Sequence, residues 1–198
     1  MGGKVLPSPT LAPEDRKIML KVLRNHRRVI VRAASVALLI GAALATTPAL
    51  AETPKNLGAF AKWRALTVNN DGQRMCYAMS VPVAKQDNVQ DRGEAAALVT
   101  HFPEIGALDQ VSIVLGFEPA KNSPVIAKIG GFTFTLEEIE ADRVWIKSRA
   151  NDRAMVQALR KSNQMVVIAA TSKGLKVEDT YDLTGFTKAY QAMSKACS

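Results

Sequence analysis

The sequence predicts a mostly β domain, a sandwich carrying one or two short helices, preceded by a cleavable signal peptide. Three observations predict it. Short runs of alternating apolar and polar residues recur along the chain with turn residues between them. Two segments break this period with helical spacing, and no βαβ alternation appears. The first fifty residues have the composition of an export leader.

The leader accounts for the charge. The 198-residue chain carries a formal net charge of +8, which invites a nucleic-acid reading. Residues 1–51 hold eight of the 26 basic residues against Glu14 and Asp15 alone. Residues 52–198 hold eighteen basic and sixteen acidic residues, so the folded part is nearly balanced. No nucleic-acid partner is expected. Lys17 to Arg32 forms a basic stretch that runs into the apolar segment Ala33–Leu44, then Pro48 and Ala49-Leu50-Ala51. That is the order of a basic region, an apolar region and a small-x-small cleavage site. The apolar segment is about twelve residues, short of the ~20 that span a bilayer. Cleavage after Ala51 is therefore expected, with no stable transmembrane anchor afterwards; an uncleaved anchor is the alternative. Met19 would make a more usual start. Residues 52–198 are expected to form a single β-sandwich domain.

Along that domain, Glu52 to Gly58 reads as a loose tail. Strand-like runs follow at 61–68 and 74–81, joined by the turn-forming Asn69-Asn70-Asp71-Gly72. Residues 82–93 are polar and read as a surface loop. Strands resume at 95–101, 111–117, 125–129, 132–136, 143–147, 165–171 and 180–183, with Gly130-Gly131 as a two-residue hairpin turn. Met155, Val156 and Leu159 define one helix, with Asn151 or Asp152 as N-cap. Phe186, Ala189, Tyr190 and Met193 define a second, which ends near Cys197.

Cys76 and Cys197 both lie after the cleavage site. Two cysteines in an exported chain allow one connectivity, and an oxidising compartment favours it. A pair of buried thiols is the alternative. No Cys-x-x-Cys spacing suggests a metal.

Little in the sequence resembles catalytic machinery, so no catalytic residue, cofactor or metal site is expected. His101 is the sole histidine after the leader, and at a strand end beside Pro103 it reads as a surface or half-buried residue. Glu137, Glu138, Glu140 and Asp142 lack the spacing of a calcium loop and read as a solvated turn. Ser172 and Lys173 are adjacent on an extended segment, so their side chains point apart and cannot form a nucleophile pair. Trp63 and Trp145 read as packing residues.

Asp179-Thr180-Tyr181-Asp182-Leu183-Thr184-Gly185-Phe186, followed by Ala189 and Cys197, resembles the invasion-associated locus B family of bacterial exported proteins. Trp63, Cys76-Tyr77, Ser80-Val81-Pro82, Arg92-Gly93, Val111-Ser112 and Gly130-Gly131-Phe132 follow the same family's order and spacing. The resemblance implies an immunoglobulin-like β-sandwich, an exported location and a disulfide between the two cysteines, and supplies no catalytic residues. In the motif itself, Tyr181 and Leu183 are expected on one face of a strand, Asp182 on the other, Gly185 at a turn, and Phe186 opening the last helix on the core.

The expected function is therefore a binding module of the bacterial envelope, periplasmic or secreted, engaging a protein or envelope component through loops or an exposed sheet edge. A role in host-cell interaction or in the envelope itself fits the resemblance. A hydrolase using His101 or the acidic cluster, and a passive periplasmic structural or stress protein, are the competing readings.

Overall fold

A computed structural model describes residues 53–198, except 71, 87 and 122. The leader and its cleavage site lie outside the described residues. Among the described residues, twelve strands form two antiparallel sheets. The larger has the order β1 (Lys55–Phe60), β2 (Trp63–Asn70), β3 (Gln73–Ser80), β5 (Ala96–Phe102), β6 (Ala107–Val114), β10 (Arg143–Trp145), β9 (Glu138–Glu140). The smaller runs β4 (Ala84–Gln86), β12 (Lys176–Asp182), β11 (Gln164–Ala170), β7 (Val125–Ile129), β8 (Phe132–Leu136). Helix α1 (Arg149–Lys161) packs on β6, and α2 (Phe186–Ala196) packs on β1, β2 and β3.

The alternation in each strand decides what goes inside. Trp63 and Ala65 of β2, Cys76 and Ala78 of β3, Val99 of β5 and Ile113 of β6 face the smaller sheet. There they meet Val125, Ala127 and Ile129 of β7, Met165 and Val167 of β11, and Tyr181 of β12. Met155, Val156 and Leu159 of α1 and Phe186, Ala189 and Met193 of α2 close this core. The intervening residues of the larger sheet, Leu66, Val68, Met75, Tyr77, Met79, Leu98 and Val114, form a second buried cluster on its other face. Both faces of the larger sheet are thus apolar.

The structure corrects the sequence reading at several places. Residues 55–58, read as tail, belong to β1, which pairs with β2. Residues 84–86, read as loop, form β4 on β12. Glu138–Glu140 is strand β9 rather than a solvated turn, and Asp142 beyond it is buried. Ala61 and Lys62 form the β1–β2 turn, and β6 begins four residues earlier than expected. Ser148, not Asn151 or Asp152, is the N-cap of α1. Asp152 is instead buried in the first turn, where its Oδ1 accepts the Val111 backbone N–H at 2.9 Å. His101 is buried in β5 rather than at the surface or half-buried. Trp63 is wholly buried, whereas Trp145 is half-buried.

Candidate functional site

The Asp179–Phe186 segment runs from β12 through a tight turn into α2. Asp179 is 1% exposed and receives Arg92, whose Nη1 donates to Oδ1 at 2.9 Å while Nη2 donates to Oδ2. Arg92 Nε donates to the Leu115 carbonyl at 3.0 Å, and the guanidinium lies 5.2 Å from the Phe117 ring centroid. A two-pronged arginine–carboxylate pair suits such burial because every charge meets a directed hydrogen bond. Thr180 pairs with Ala84 of β4. Tyr181 is fully buried and its hydroxyl has no hydrogen-bond partner among the described residues; burial, then the nearby Asp179 charge, holds its pKa well above the ordinary tyrosine value.

The turn follows from local chemistry. Asp182 Oδ1 accepts the Thr184 N–H at 2.8 Å, and its carbonyl accepts the Trp63 indole N–H at 3.0 Å. Leu183 N–H donates to the Asn163 carbonyl, tying the turn to the segment after α1. Gly185 has φ +94°, and a Cβ there would lie 1.8 Å from the Phe60 carbonyl oxygen, so glycine is required twice over. Phe186 then enters the core edge-on to Trp63, with ring centroids 4.8 Å apart.

At the far end of α2, Cys197 is bonded to Cys76 of β3, with Cα atoms 5.9 Å apart. One turn and more before it, Tyr190 reaches a polar cluster that the sequence did not reveal. Asp109 Oδ1 accepts the Tyr190 hydroxyl at 2.6 Å and His101 Nε2–H at 3.1 Å. The β5–β6 register shifts between Thr100 and Phe102, and Asp109 opposite has φ +63°. This bulge aims the carboxylate at both partners. The hydrogen bond from His101 holds the Asp109 pKa below the usual carboxylate range, while burial and Asp109 push Tyr190 up to about 12. Asp109 and Tyr190 carry no sequence signal because the bulge that joins them is a property of two paired strands.

A cleft of about 630 Å³ opens where the motif turn meets its neighbours. Leu183, Thr184 and Gly185 form one wall, Ala59 and Phe60 at the end of β1 with Ala61 of the turn another, and Arg160 and Lys188 line it from the two helices. None of its lining residues is acidic. Its size is in the range of small-ligand sites. The motif thus does two things: its buried side chains lock the core, and its turn shapes a concave surface. Neither His101 nor the acidic residues 137–142 line this cleft. Among the described residues no group of three or more His, Cys, Asp or Glu is placed to hold a metal. None of their helices is long and apolar enough to cross a membrane.

Comparison with the curated proteins and with the solved structures finds no match. The pattern that defines the Invasion associated locus B protein family matches residues 63–194, from the buried Trp63 of β2 to the last turn of α2. With most of the chain matched, including the Arg92–Asp179 pair, the cleft wall formed by Leu183–Gly185, and Cys76, this protein belongs to the invasion associated locus B family.

Proposed function

We propose that the processed chain is an exported binding protein of the bacterial envelope, periplasmic or secreted, that engages a protein or envelope component without catalysing a reaction. The observation that carries this reading is the cleft walled by the family motif and flanked by Arg160 and Lys188. Its cationic rim and the absence of acidic residues from its lining favour a partner presenting negative charge. The leader composition and the Cys76–Cys197 bond support delivery to an oxidising compartment. A contribution to host-cell contact or to envelope upkeep is compatible with the family.

The hydrolase reading has one feature in its favour, the His101–Asp109 pair. His101 is 5% exposed, and the ring packs edge-on against Tyr190 at 5.7 Å. We read the pair as a clasp between β5, β6 and α2, because a general base needs access to a substrate proton.

The test is capture from envelope extract with the exported protein as bait, beside an Arg160→Glu/Lys188→Glu variant of unchanged fold. The expected result is a partner retained by the wild type and lost by the variant. A wild type that retains nothing, or a partner equally held by the charge-reversed variant, would overturn the cleft as the binding surface. Retention of the partner by His101→Ala is expected as well. Intact mass of the exported protein should place its first residue at Glu52.

A further inference from the structure

Two sheets present four edge strands, and three of them are guarded against pairing with another chain. β1 begins after Pro54 with Lys55 and carries a bulge between Asn56 and Gly58. β4 is three residues long, follows Pro82 and has Lys85 at its centre. β9 is also three residues long, with Glu138 and Glu140 at its ends. Short length, charge, proline and bulges are the devices that keep natural sheet edges from adding strands.

The fourth edge, β8, has none of them. It reads Phe132-Thr133-Phe134-Thr135-Leu136, with no charge or proline, and pairs with β7 without a register break. Gly130 and Gly131 form a two-residue hairpin turn, so the closing pair Ile129–Phe132 is a hydrogen-bonded one. Bonded pairs alternate in an antiparallel ladder. The main-chain groups of Phe132, Phe134 and Leu136 are therefore spent on β7, and those of Thr133 and Thr135 point out from the sheet. Among the described residues no strand pairs with that side.

What lies there is a groove. The strand continues past Glu137 into β9, and Glu137 N–H bonds the Trp145 carbonyl at 3.1 Å. Toward its other end, β8 and residues 146–148 border a space of about 440 Å³. Phe134 lines this space, and the Phe132 ring, 63% exposed as a residue, lies 6.4 Å from it.

We propose that β8 is a strand-addition site, occupied by an extended peptide segment of a partner protein that pairs with the outward main chain of Thr133 and Thr135. The occupant follows from the groups that must be met. Alternating N–H and C=O at strand spacing is matched by extended polypeptide, and main-chain bonds supply the affinity in this recognition mode. Specificity comes from the two faces: apolar side chains against Phe132 and Phe134, and β-branched hydroxyl side chains beside Thr133 and Thr135. This surface is separate from the cleft at the motif turn, so it stands or falls independently of that reading.

The test uses acetyl-Val-Thr-Val-Thr-Val-amide as probe, added to the exported protein, with amide hydrogen exchange followed residue by residue. Saturating probe should slow exchange at Thr133 and Thr135 by about tenfold or more and leave β1, β4 and β9 unchanged. Thr135→Pro removes an outward donor and should abolish the effect. If that variant misfolds, Thr133→Lys/Thr135→Lys installs the missing guards with the backbone intact and should do the same. Thr133→Val should retain it. No protection, or protection at another edge, would overturn the proposal. So would protection that appears without probe as protein concentration rises, which would make a second copy the occupant. Retention of the probe by Arg160→Glu/Lys188→Glu separates this outcome from failure of the cleft.

Discussion

Arg92 and Asp179 stand 87 positions apart and meet as a buried two-pronged ion pair, 6% and 1% exposed at their side chains. The pair joins the loop before β5 of the larger sheet to β12 of the smaller one.

Removing one partner leaves the other charged and buried. Arg92→Ala or Asp179→Asn should therefore destabilise the domain by about 3–5 kcal/mol in denaturant unfolding. The double variant Arg92→Met/Asp179→Leu should recover most of the loss, because no unpaired charge remains. Single variants within about 0.5 kcal/mol of wild type would show that the pair is not a fixed feature of the fold.

The disulfide closes a loop of 121 residues. Cys197→Ser, or reduction, should lower stability by roughly 4–5 kcal/mol on the loop-entropy account. The first amides to lose protection should be those of α2, which the bond holds against β3. Equal melting temperatures with and without reductant would count against a structural bond.

Two carboxylates give the domain opposed pH responses. Burial raises the Asp152 pKa to about 6, outweighing the Val111 hydrogen bond that lowers it. A raised carboxyl pKa means a stabilising contribution present below about 4 and lost as pH rises through 6. Asp152→Asn keeps an acceptor for Val111 without the charge. It should raise stability above pH 6 by on the order of 1 kcal/mol, allowing for solvent screening, and change little near pH 4. Asp109 is shifted the other way by His101, so its contribution is present above about 4 and is lost on acidification. Thermal melts at pH 4 and pH 8 on Asp152→Asn and Asp109→Asn would separate the two; an Asp152→Asn variant less stable at pH 8 would contradict the sign.

Gly185→Ala should cost about 3 kcal/mol or more, since both the positive φ and the Phe60 carbonyl oppose a side chain. Gly174→Ala is the control: its φ is also positive at +80°, but nothing lies within 4 Å of its added Cβ. Equal losses in unfolding experiments would mean that backbone strain alone, not the close approach, explains Gly185.

The strands that the sequence did not reveal share a cause. β1, β4 and β9 are all edges, and the charges, prolines and short lengths that protect an edge also erase the alternating pattern by which a strand is read. β8, the unguarded edge, was legible as 132–136 for the same reason that it is available to pair. Central strands such as β3, β7 and β11 kept their period because one face or both must be apolar. Buried polar groups behaved differently. His101 read as a surface or half-buried residue because its partners, Asp109 and Tyr190, come from a bulge on the next strand and from the last helix.

The sequence by itself determined the β class, the second helix and its apolar face, the motif turn at Gly185, and a single pair of cysteines able to bond. These depend on local period, turn chemistry and count, which need no knowledge of what packs where. Only the tertiary structure decided that Asp179 would hold Arg92, that Asp152 would accept the Val111 N–H within β6 rather than cap its own helix, and that the motif turn would wall a cleft. A charged or polar residue is committed to a role by the partner that reaches it in the low-dielectric interior, and that partner arrives from a distant part of the chain.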